Sequence, residues 1–68
     1  MNQEFYIGDN AYLEISSGVF CEVRVNKVNH AYGKIRYTVE PVAGKGEIKT
    51  EKLSRIKGKR VLEREDVI

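Results

Sequence analysis

The side chains best able to do chemistry are few in this chain and far apart. Among 68 residues there is one imidazole, His30, and one thiol, Cys21. Cys21 lies between Phe20 and Val23, which give a thiolate no positive charge to lean on, so it reads as a small buried hydrophobe. His30 falls in a polar loop with no nucleophile near it in sequence. Asp9, Glu14, Glu22, Glu40 and Glu47 are scattered on outward positions beside basic residues, with no dry pocket to tune one of them. Gly44-Lys45-Gly46 has neither the Gly-x4-Gly-Lys-Ser/Thr spacing nor the following helix of a phosphate loop. One cysteine and one histidine supply no metal cage. The expectation is a chain that is not an enzyme and takes no cofactor, no metal and no small-molecule substrate.

What stands out instead is charge. From Lys45 to Arg60 the positives are Lys45, Lys49, Lys52, Arg55, Lys57, Lys59 and Arg60, against only Glu47 and Glu51, while the whole chain is +2. Such a strip suits a run of phosphates, since each one neutralised releases counterions. Tyr12, Phe20 and Tyr32 offer ring faces for stacking beside it. The plainer reading is a solvated lysine-rich edge that keeps a short strand from pairing with strangers.

The elements that must position these groups are strands. Ala11, Leu13 and Ile15 alternate with Tyr12 and Glu14, and Phe5 and Ile7 share their parity, so the first strand starts early and bends at Gly8-Asp9-Asn10. Ser16-Ser17-Gly18 is a turn. Cys21, Val23 and Val25 then alternate with Glu22, Arg24 and Asn26. Val28 breaks that parity, which places a bulge or a strand end near Asn26-Lys27. Asn29 to Lys34 is a hairpin loop, and Ile35, Tyr37 and Val39 form the inner face of a third strand ending at Pro41. Val42 to Gly46 is a glycine-containing turn, Glu47-Ile48-Lys49 a fourth strand centred on inward Ile48, and Thr50 to Leu53 a single helical turn capped by Thr50. Ser54-Arg55-Ile56 is a brief closing strand. For residues 57–68 a short helix, a frayed strand and a disordered tail all fit.

So short a chain buries roughly 60% of the surface that its unfolded form exposes, enough for one small core and no deep cleft. Its 41% hydrophobic and 32% charged content are those of a globular domain. There is no apolar run of the ~20 residues that a membrane span needs, and a lone cysteine suits a reducing compartment. The expectation is therefore a cytoplasmic protein of phage or bacterial type, with a small barrel at 1–56 and a charged tail at 57–68.

This order of elements resembles the Tudor-like branch of the SH3-like barrels. Gly8-Asp9 match the family's opening pair; Gly18, Phe20, Val23 and Val25 its second strand; Tyr37, Val39 and Gly44 its third strand and turn; and Glu51-Lys52-Leu53 its helical turn. The resemblance covers about residues 7 to 56. It implies an all-β, five-stranded SH3-like (Tudor-like) barrel with one helical turn before the last strand. It does not extend to an aromatic cage for methylated side chains. Phe20 stands at the first aromatic position, but Cys21 follows where the family has tyrosine, and Pro41, Val42 and Ala43 replace its acid and aromatic.

The function expected on these grounds is a binding module: a small adaptor or modulator meeting a protein partner through Tyr12, Phe20, Tyr32, Lys45 and Lys49. The alternative is a nucleic-acid binder using Lys49, Lys52, Arg55, Lys57, Lys59 and Arg60.

Overall fold

The computed structural model describes residues 3–59. They form an all-β, four-stranded antiparallel meander: β1 (Asn10–Ser16), β2 (Val19–Ala31), β3 (Lys34–Pro41) and β4 (Ile48–Thr50), in spatial order β1-β2-β3-β4. No helix is present among the described residues, so none there is long and apolar enough to cross a membrane.

Alternation builds the core. Ala11 and Leu13 of β1, Val23 and Val25 of β2, and Tyr37 and Val39 of β3 are buried, joined by Phe5 and Leu53 from outside the strands. Cys21, Val28 and Ile35 pack against this cluster from half-buried positions. Val28 reaches the inner face because the β2–β3 register slips between Val25 and Lys27, leaving Asn26 without a paired residue and shifting the parity beyond it by one. The parity break in the sequence was therefore a bulge and not a strand end.

The hairpin after it is tighter than a six-residue loop. Ala31 pairs with Lys34, and only Tyr32 and Gly33 turn the chain, at φ 54° and 75°. Two successive left-handed residues make the turn whose twist matches that of the strands. At the other end of β2, Gly18 takes φ 76° and donates its N–H to Glu14 Oε2 at 2.9 Å, closing the β1–β2 turn.

The N-terminal segment seals the inner face. The Tyr6 N–H donates to Asp9 Oδ2 (2.9 Å) and the Asp9 N–H donates back to the Tyr6 carbonyl (3.0 Å). Gly8 and Asp9 then bond to Val25, the Gly8 N–H giving 2.8 Å to its carbonyl. That turn folds Phe5 back over the sheet, where its ring meets Tyr37 edge-on with centroids 5.6 Å apart. The Tyr37 hydroxyl accepts the N–H groups of Glu4 and Phe5, each at 3.3 Å. Burying a phenylalanine in this way stabilises a fold by about 1.5–3 kcal/mol.

The finer expectations need correcting. There are four strands where five were expected, and the sheet does not close into a barrel. What stands at the fifth position is an isolated bridge: Tyr12 and Ser54 exchange backbone hydrogen bonds of 2.8 and 2.9 Å. The expected helical turn at Thr50–Leu53 is absent. Thr50 Oγ1 instead accepts the Lys52 N–H at 3.1 Å, a side-chain turn that holds the chain extended and still delivers Leu53 to the core.

Ile7 and Ile15 were expected inside but are 70% and 57% exposed. Ile7 lies in the turn that serves Phe5, and Ile15 at a register slip between Glu14 and Ser16. Ile48, opposite Val39, is a rim residue at 36% exposure, because no fifth strand covers β4. Of the expected tail, Lys57 to Lys59 are exposed, and residues 60–68 lie outside the described residues.

Candidate binding face

The register assigns every β2 and β3 side chain to one of two faces. Beyond the bulge, Val28, Tyr37 and Ile35 are inward, so Lys27, Asn29 and Ala31 on β2 and Lys34, Arg36 and Thr38 on β3 are outward. Thr38 pairs with Lys27 on one side and Lys49 of β4 on the other. It is only 3% exposed although it belongs to the outer face, as suits a short side chain between two long aliphatic stems.

One end of the outer face thus presents Lys27, Lys34, Arg36 and Lys49. Among the described residues none of the three lysines has an ion-pair partner; Arg36 meets Glu51 at 3.2 Å. Both members of that pair are well exposed, a setting in which such contacts are weak. Between the cations Asn29 and Ala31 leave a shallow groove, which Lys34, Arg36, Lys49 and Tyr32 also line. Tyr32 caps it from the hairpin tip, fully exposed at 101%. The opposite end of the same face is of the other sign: Glu14, Glu22 and Glu40 surround Arg24, with Glu40 opposite Arg24 and Glu14 opposite Phe20.

The residues expected to contact a partner are divided between these ends. Tyr32 and Lys49 come together at the basic end. Phe20 is half-buried at the other end, lining a second shallow groove with Ile15, Ser16, Ser17, Gly18 and Gly58. Tyr12 is half-buried beside Ser54. Lys45 is exposed in the loop between β3 and β4.

The basic strip is not one surface either. Lys49 joins the hairpin. Lys52 follows the Thr50 turn, and Arg55 is spent on the N-terminal segment, its guanidinium 4.6 Å from the Phe5 centroid and bonded to the Glu4 carbonyl. Lys57 and Lys59 lie in an exposed turn closed by the Lys59 N–H on the Ile56 carbonyl, near the acidic end's groove. Arg60 lies outside the described residues.

Lys27, Lys34 and Arg36 were missed because they are scattered among neutral residues in sequence. Their common face follows only from pairing β2 with β3 across the bulge.

His30 faces the inner side and shares a 2.9 Å hydrogen bond with Gln3 Oε1. No cluster of three or more His, Cys, Asp or Glu side chains able to hold a metal exists among the described residues. No family model, curated protein or solved structure matches this chain, and its likeness to Tudor-like barrels rests on the residue pattern alone.

Proposed function

We propose that this chain is a non-enzymatic binding module that holds nucleic acid against the outer face of its β2–β3 hairpin and β4. One observation carries the reading: Lys27, Lys34, Arg36 and Lys49 converge on a single open face with Tyr32 at its tip. Grouped cations beside an exposed ring suit a phosphate backbone and its bases. Lys49 is the member shared with the basic strip, and Lys27, Lys34 and Arg36 take the place of its remaining residues. The isolated Tyr12–Ser54 bridge supports reading the fold as an open variant of the SH3-like, Tudor-like small barrel, with a vestigial fifth strand.

The test is fluorescence anisotropy with labelled oligonucleotides, single-stranded and duplex, at about 50 and 200 mM salt. Binding at the lower salt that falls steeply towards the higher is expected. No binding of either probe at the lower salt removes the reading.

A second reading, a protein partner, is favoured by a different observation. Ile15 and Val19 are 57% and 47% exposed beside half-buried Phe20 at the β1–β2 end, an apolar spot that phosphates do not need. A protein co-purified from a host lysate, lost on Ile15→Asp but kept on Lys34→Glu, would transfer the function to that end.

A further inference from the structure

We infer that the nucleic acid on this face is single-stranded, with the Tyr32 ring stacked on an unpaired base and the surrounding cations along its phosphates. This rests on the reading proposed above and narrows it to one class of ligand.

The first ground is the conformation of Tyr32. It occupies left-handed backbone at φ 54° and is the one non-glycine residue to do so among those described. For a bulky side chain that region is an outlier, whereas asparagine and glycine enter it freely at this position of a two-residue turn. Nothing in the fold repays the strain, because the ring is wholly exposed. Strain held at a surface tip without any packing return points to use of the side chain itself.

The second ground is what such a ring can meet. An exposed aromatic held out on a rigid hairpin stacks on any base whose face is open. A duplex offers no open base face unless a step is pried apart.

The third ground is the layout of charge. Lys27 and Lys49 flank β3 across two interstrand spacings, about 10 Å, and Lys34 and Arg36 stand two residues apart along it, about 7 Å. With Asn29 and Ala31 short between them, the strand of phosphates has a shallow bed leading to the tip. Arg36 keeps N–H groups free beyond the one given to Glu51.

The decisive variant is Tyr32→Asn, which removes the ring and supplies the residue that the turn prefers. Binding of a labelled oligothymidylate of about ten nucleotides is compared with that of a duplex of equal length. The single strand is expected to bind at least about tenfold tighter. Tyr32→Asn should weaken single-strand binding by about fivefold or more and leave the salt slope unchanged, with its thermal midpoint equal to or above that of the parent. Lys34→Gln with Lys49→Gln should instead flatten the slope by about 1.4, or 0.7 for each phosphate released.

Equal or tighter duplex binding, or single-strand binding indifferent to Tyr32→Asn, overturns the inference and leaves a nucleic-acid module standing. Failure of both probes to bind sinks the broader proposal as well.

Discussion

Arg55 lies over the face of Phe5 while Tyr37 meets the edge of the same ring, so a residue near the start of the chain is held between the third strand and the segment after the fourth. The sheet is open, and this stack is what covers its inner face where a barrel would have closed.

The stack makes an unequal prediction for its two partners. Phe5→Ala should cost about 3–5 kcal/mol by leaving a cavity against Tyr37. Arg55→Ala should cost only about 0.5–1 kcal/mol, since Arg55 is exposed and its cation–π contact correspondingly weak. Urea denaturation of the two variants ranks them. Equal losses would mean that Phe5 is not a core residue.

Strand parity can be tested by charge. Val23 and Val39 are wholly buried, so Val23→Asp or Val39→Asp should abolish cooperative unfolding by placing an unpaired carboxylate in the core. Arg24→Asp, one position away and exposed, sets two acids opposite each other at Glu40 and should cost no more than about 1 kcal/mol. Circular dichroism melts separate the cases, and similar behaviour of all three variants would contradict the assigned faces.

The hairpin tip gives the opposite sign. Tyr32→Asn should stabilise the protein by about 0.5–1 kcal/mol, because asparagine accepts the left-handed conformation that tyrosine resists. A lowered thermal midpoint would show that the ring has a structural role after all.

The bridge at Tyr12 and Ser54 should be visible in hydrogen exchange. Both amides donate within the pair, at 2.8 and 2.9 Å, and should exchange more slowly than the amide of Lys57, which sits in an exposed turn. Ser54 exchanging as fast as Lys57 would mean that the segment after β4 is not held to β1.

What the sequence disclosed and what it concealed follow from how local each signal is. Alternation around Ala11–Leu13, Val23–Val25 and Tyr37–Val39 is a neighbour-to-neighbour property, and all six residues are buried as expected. Val28 even announced the irregularity at Asn26. Ile15 misled because parity carries no warning of a slip between Glu14 and Ser16. The helical turn at Thr50 failed because a threonine that can cap a helix can equally bond its own neighbouring backbone. Arg55 looked like one more cation in a strip, and only the return of Phe5 across the sheet gave it a partner. The binding face was hardest of all, since Lys27, Arg36 and Lys49 become neighbours through strand register and not through sequence.

The unpaired Asn26 sets the phase of everything beyond it. Upstream the odd-numbered positions of β2 point inward; downstream the even ones do. Loss of that one residue would restore a regular ladder and turn the distal hairpin inside out, carrying Lys27 towards the oily interior and Val28 into water. In this part of the gene, then, exchanges of one amino acid for another should accumulate freely on the outer positions, while changes in chain length should be purged.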